Sequence, residues 1–352
     1  MTTIDLDFLQ ETLQRLIHVP SPTGDTERAT DLCRQLFCVW DDVLDIKISP
    51  KGVLTATWRG EKNDAPRAIT AHVDTLGAQV SLIRENGRLQ LSQLGSFDWT
   101  AIENESVSIQ TQSGMALRGT VLFSNESYHV HTSDDRVDKK PRTQTAMEVR
   151  VDAKTQSRDE TRALGIEIGD FVFFDPRYEE NNGFIRSRFL DDKACLACVF
   201  TAIKALHDAG LTPAQRTTFH VSNYEEVCHG GAAGLPKDLV ELLAVDVAPI
   251  GRGQNSNEHL CSLCMADTEG PYDIRMNRKL RRLASEIEIE LRPDIYPQYA
   301  SDAKAFWLAG GDARVALIGP GTDATHGLER THLDALAATT RLVVAYLLDD
   351  EA

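Results

Sequence analysis

Apolar positions along the chain switch between a helical and a strand period. In IDLDFLQETLQRLIHV, Leu6, Leu9, Leu13, Leu16 and Ile17 recur at helical spacing, and Pro20-Ser21-Pro22-Thr23-Gly24 ends the pattern. A second helix is predicted with Asp25 or Thr26 as its cap and Ala29, Leu32, Leu36 and Phe37 as its apolar stripe. VLDIKIS, VLTATWRG and RAITAHVDTLG then read as strands. The run Ala68 to Val73 within the last is apolar enough to be buried on both faces.

From Ala78 to about Pro176 the texture changes to short alternating strands with turn signals such as Asn86-Gly87, which predicts an all-β insert. Within it, HTSDDRVDKKPRTQT is polar and expected to be exposed and mobile. Helix and strand alternate again in KACLACVFTAIKALHDAG, RTTFHVSNYEE, LLAVDVAPIG, RVALIGPG and LDALAATTRLVVAYLLDD. The predicted organisation is an α/β domain, residues 1–77 and 177–352, interrupted by a smaller β-rich domain at 78–176. A chain of 352 residues is long enough to need two cores.

Composition narrows the partners. The formal net charge is −16 with no Lys/Arg stripe, so a nucleic-acid backbone would be repelled. The apolar runs are too short to span a membrane, and the N-terminus carries acids where a signal peptide needs bases. Seven cysteines, an odd number, agree with a reducing compartment, and the expected location is the cytoplasm.

The candidate chemistry sits directly after apolar runs. His72-Val73-Asp74 ends one strand, Asp191-Asp192 precedes a helix, Glu225-Glu226 follows TTFHVSNY, Asp246 ends LLAVD, and His326 follows RVALIGPGTDAT. In open α/β sheets, ligands gather beyond the carboxyl ends of the strands, where all five segments would fall. Acids and histidines there are costly to desolvate unless paired or bound to metal. A mixed His/Asp/Glu set suits zinc, manganese or cobalt, and an extra carboxylate can bridge two ions.

SPTGDTE, AHVDTLG, the GDFVFFDPR…GFIRSRFLDDK junction, SNYEEV, AVDVA, SDAKAFWLAGG and HGLE, in this order, resemble the M42 metallo-aminopeptidases of the glutamyl or deblocking type. The resemblance implies a mixed-sheet dimetal peptidase domain, phosphorylase/hydrolase-like, interrupted by a PDZ-like β domain that dimerises. It implies an exopeptidase acting on short peptides with two divalent ions per subunit, zinc first, with cobalt or manganese as alternatives. By motif, His72 and Asp246 would hold one ion, Glu226 and His326 the other, and Asp191 would bridge them. Glu225 would be the general base, and Asp74 would fix the tautomer of His72 from behind. Asp191 and Asp192 would join through a cis peptide.

The chain departs from the family at Thr75, Lys193 and Cys228, where Glu, Arg and Gly are usual. His229 is expected to be a loop residue, and the HGLE match favours His326 over its rival His332. His129 and His131 are expected to be structural or to line an entrance. The ending GPGTDATHGLERTHLDAL resembles a bacterial subgroup linked to N-acetylglutaminylglutamine amide, which implies a dipeptide-derived osmolyte as substrate. Assembly from dimers to dodecamers is also implied by the family, and exposed strand edges on the insert are expected to drive it.

Two CxxC pairs offer the rival chemistry. Cys195 and Cys198 fall on an apolar helical stripe with Ala202 and Leu206, which predicts buried free thiols. Cys261 and Cys264 lie too far away in sequence to complete a zinc ribbon. The alternatives to the peptidase are therefore a structural zinc or redox protein built on these pairs, or a catalytically silent binding homologue.

Overall fold

A computed structural model describes residues 2–130 and 140–351. The chain divides into two compact units, residues 1–75 with 177–352, and residues 76–176.

The larger unit is built on a ten-stranded mixed sheet among the described residues. Its path runs Leu44–Ile48, Leu54–Trp58, Gln215–Ser222, Lys62–His72, Glu241–Val245, Arg314–Thr322, Cys261–Asp267 and Gly270–Pro271; Ala248–Pro249 and Leu291–Ile295 pair off this path. The strand Lys62–His72 lies at the centre, parallel to Gln215–Ser222 and to Glu241–Val245, with His72 level with Ser222. Its last eight residues are all buried, as the unbroken apolar run predicts.

Helices cover the sheet. Leu6–His18 buries Leu9, Leu13, Leu16 and Ile17, and the Asp5 carboxylate caps it by accepting the Phe8 N–H at 2.9 Å. Such a cap is worth about 1 kcal/mol. The helix Leu190–Asp208 is not amphipathic but buried almost all round, because it packs between the sheet, Leu6–His18 and Leu333–Leu348. No helix among the described residues is long and apolar enough to cross a membrane.

The smaller unit closes on itself. Among the described residues six strands, Gly77–Ile83, Leu89–Leu94, Met147–Val151, Ala116–Phe123, Ser106–Gln110 and Phe171–Phe174, form a barrel in this order. Ala78 pairs with Val172 and Ile109 pairs with the same residue from the other side, so the last strand joins the two ends of the sheet. Among the described residues closure leaves less open strand edge than expected, although Leu89–Leu94 meets Met147–Val151 through the single pair Leu89–Val149. His129 is exposed and edge-on to Tyr128 at 5.4 Å, whereas His131 and most of the polar stretch around it lie outside the described residues.

Candidate functional site

The parallel strands deliver their following residues to one place. His72 is the last residue of its strand; Asp246 follows Glu241–Val245, and its N–H donates to the Ile318 carbonyl at 3.0 Å. The close fit of the neighbouring strand requires glycine: a Cβ on Gly319 would stand 1.6 Å from the Asp246 carbonyl oxygen. Asp191 and Asp192 open the helix Leu190–Asp208 with non-helical dihedrals, joined by a cis peptide bond.

Asp191 stands between two histidines. Its Oδ1 lies 3.0 Å from His72 Nε2 and its Oδ2 3.6 Å from His326 Nε2, and His326 Nε2 also lies 3.8 Å from Glu226 Oε2. Glu225 Oε2 is 3.8 Å from His72 Nε2. Donor atoms of His72, Asp191 and Glu226 form one group within 4.8 Å, and those of His72, Asp192 and Asp246 form another. The predicted residues His72, Asp191, Glu225, Glu226, Asp246 and His326 are thus brought together, and Asp192 joins them. Asp192 has a second task, since its Oδ2 accepts the His72 backbone N–H at 3.1 Å.

Asp74 stands behind His72. His72 Nδ1 lies 2.9 Å from the Asp74 carbonyl oxygen and 3.6 Å from its carboxylate, so the carbonyl is at hydrogen-bond distance and the carboxylate adds a favourable charge beside the ring. The carboxylate also accepts the backbone N–H groups of Glu225 at 3.1 Å and Glu226 at 3.3 Å, and the Thr23 hydroxyl at 2.7 Å. Glu329 is a residue that motif reading quoted without a role. Its two oxygens accept the N–H groups of Asp191 and His326, both at 3.1 Å, and so tie two converging loops together. Tyr299 was missed outright; its hydroxyl donates to the Val247 carbonyl at 2.7 Å and faces Asp246, favouring the charged form of that acid.

The electrostatics are those of too many acids in too little water. Burial, then neighbouring carboxylates, pushes Glu226 and Asp246 up to about 8 and Glu225 well above its usual range. Burial opposes ionisation of Asp191 too, but hydrogen bonding with His326 and His72 wins and holds it below the ordinary value. Burial likewise disfavours both imidazolium forms, yet the acids, Asp191 first, raise His326 to about 10 and His72 well above normal. Buried oxygens of Asp192, Glu226 and Asp246 have no hydrogen-bond partner among the described residues. Unpartnered carboxylate oxygens converging with two imidazoles fit divalent cations, which replace the protons that the cluster otherwise has to hold.

The other candidates fall away. His332 belongs to a surface group with His259 and Asp334, but its Nδ1 already accepts the Asp334 N–H at 3.1 Å as the cap of Leu333–Leu348. His229 stacks on Tyr224 at 4.8 Å in its loop. No cysteine enters any donor group among the described residues. Cys198 donates to the Leu336 carbonyl at 3.4 Å, and burial pushes both Cys198 and Cys261 up to about 12, far from the thiolate that zinc or redox chemistry needs. The geometry therefore gives the zinc or redox alternative no support.

The profile of the M42 glutamyl aminopeptidase family matches residues 52–342. The chain belongs to the M42 peptidase family. It is 40% identical over 338 residues to YhfE of Bacillus subtilis, a protein described as a candidate aminopeptidase, with 96% of each chain covered. As an M42 member it is a peptide hydrolase of the aminopeptidase type, in a family whose peptidases are metal-dependent. Two solved structures share its fold. An aminopeptidase from the archaeon Desulfurococcus kamchatkensis superposes with a TM-score of 0.87 at 19% identity, covering 97% of this chain and 95% of that one. The Pyrococcus horikoshii TET1 peptidase, described as assembling into a tetrahedron or a large octahedral shell, gives 0.83 at 22% identity, covering 97% and 99%. At these identities the structural likeness shows the fold alone.

Proposed function

We propose that this M42 peptidase removes N-terminal residues from short peptides at a two-cation centre. His72 and Asp246 would hold one cation and Glu226 and His326 the other, with Asp191 shared between them. The observation that carries this reading is the placement of Asp191, whose two oxygens face His72 and His326 separately. A pair of divalent cations, zinc first and cobalt or manganese as alternatives, supplies Lewis acidity toward a peptide carbonyl and acidifies water.

The chain's own residues do the rest. Glu225 has no ligand role in this assignment, and burial keeps its proton affinity high. Its carboxylate is therefore suited to take a proton from the attacking water and return it to the leaving amine. Asp74 holds the backbone of Glu225 and Glu226, and Glu329 holds that of Asp191 and His326. Glu225→Gln should keep the cations and lose about a hundredfold or more in turnover on aminoacyl substrates. Glu226→Gln should instead weaken cation retention. If Glu225→Gln stays active, the base assignment is wrong.

The finer substrate reading is a dipeptide-derived osmolyte, which a screen of acyl-dipeptide amides beside ordinary aminoacyl substrates would test. We also propose that residues 78–176 are a dimerisation domain and that the chain assembles into a large homo-oligomer, as the Pyrococcus horikoshii peptidase does. A monodisperse active monomer in light scattering would exclude that.

A further inference from the structure

We propose that Lys51 is a positioning residue for Glu225: it is the cation that holds the loop 223–231 in the shape that presents both glutamates to the centre. The inference rests on the reading of Glu225 as the base.

The loop needs external ties. Tyr224 and Cys228 are non-glycine residues in the left-handed region, at φ 65° and 66°, and each costs about 1–2 kcal/mol there. Internal bonds bend the loop on itself, from the Cys228 N–H to the Glu225 carbonyl at 2.7 Å and from the His229 N–H to the Tyr224 carbonyl at 3.0 Å. On one side Asp74 grips the N–H groups of Glu225 and Glu226. On the other stands Lys51, in the turn between Leu44–Ile48 and Leu54–Trp58.

Lys51 touches the loop at three points. Its Nζ donates to the His229 carbonyl, lies 3.4 Å from the Gly230 carbonyl oxygen, and sits 5.5 Å from the centre of the Tyr224 ring. That ring in turn stacks on His229. The turn is tied back as well, because the Asn223 side-chain amide donates to the Lys51 carbonyl at 2.9 Å. Behind the loop there is no slack: a Cβ on Gly230 would stand 2.2 Å from Asp302 Oδ1 and 3.1 Å from Glu225 Cα. Burial is the larger influence on the Lys51 ammonium and lowers its pKa, and the charges of Asp302 and Asp74 counter this only in part. Without it, two carbonyls lose their cationic donor and the loop can relax. A shift of about 1 Å in a catalytic group costs on the order of a hundredfold.

The test uses full-length, metal-loaded protein carrying Lys51→Met, Lys51→Arg or Glu225→Gln, with aminoacyl p-nitroanilides as substrate and elemental analysis beside the kinetics. Lys51→Met is expected to keep its cations and a KM within about twofold of the parent while kcat falls about 10- to 100-fold, and Lys51→Arg to recover most of kcat. Should Lys51→Met not fold, Lys51→Gln, which keeps a shorter N–H donor, is read by the same criteria. Parental kcat in Lys51→Met overturns the inference. So does a loss of cations in proportion to activity, or an Arg variant no better than Met. Parental turnover in Glu225→Gln overturns the base assignment and this inference with it, whereas loss there with parental kcat in Lys51→Met overturns this inference alone.

Discussion

The two ends of the central sheet bury charge in opposite ways. At the amino ends of the strands, Glu241 is 1% exposed and fully answered: it accepts from Lys279 at 2.8 Å, Arg314 at 3.0 Å and the Tyr346 hydroxyl at 3.1 Å, and lies 3.2 Å from Arg67 Nε. Arg67 Nη1 also donates to the carbonyls of Tyr346 at 2.9 Å and Asp349 at 2.6 Å. At the carboxyl ends, Asp191, Asp192, Glu226, Asp246 and Glu329 converge on two histidines among the described residues, and the buried Lys193 turns away to the Val19 carbonyl at 2.7 Å. A buried charge by itself therefore does not mark a site. An unbalanced set does, because its desolvation is offset only by something brought from outside.

The comparison can be broken at either end. The largest effect belongs to the balanced end: Glu241→Gln leaves three cations around a neutral amide and should cost about 3–5 kcal/mol in denaturant unfolding, with cation content per folded chain unchanged. At the other end Asp246→Asn should behave inversely. Metal-free protein should be no less stable than the parent, since a buried, poorly answered acid has gone. Cation affinity should fall by about a hundredfold or more, because even outer partners of ligands are worth 10–100-fold. Calorimetric melting and metal titration of both variants read the contrast directly.

Gly319→Ala comes next. A methyl 1.6 Å from the Asp246 carbonyl forces the backbone aside, and the variant should lose about 2 kcal/mol together with tight cation binding. Smallest is Cys228→Gly, which restores the family's usual residue at a left-handed position. Relief of strain and the extra freedom of the unfolded chain oppose each other, so stability should move by less than about 1 kcal/mol with activity retained. A larger loss of activity would mean that the Cys228 side chain serves the site.

Much of the site was legible because its residues follow apolar runs, and a strand buried on both faces states where it ends. His72, Asp246 and the Glu225-Glu226 pair are of that kind. What holds them was not legible. Glu329 reaches Asp191 across 138 positions and Lys51 reaches His229 across 178, through hydrogen bonds that leave no period in the sequence. For Asp74, HxD spacing fits either a carboxylate or a carbonyl behind the ring, and only the distances show that the carbonyl is the nearer of the two. In the smaller unit, alternation predicted short strands, but pairing of Phe171–Phe174 with two distant strands, which closes the barrel, is a non-local choice.

The central claim is that the unbalanced acids are a two-cation site. Its most direct measurement is calorimetric titration of metal-stripped protein with zinc or cobalt, with native mass spectrometry counting the bound ions. The account predicts two ions per chain and, at a free concentration of about 100 times Kd, a rise in stability of about 2.7 kcal/mol per site. It also predicts that Asp191→Asn loses tight binding of both ions. A single bound ion that Asp191→Asn leaves untouched would contradict it.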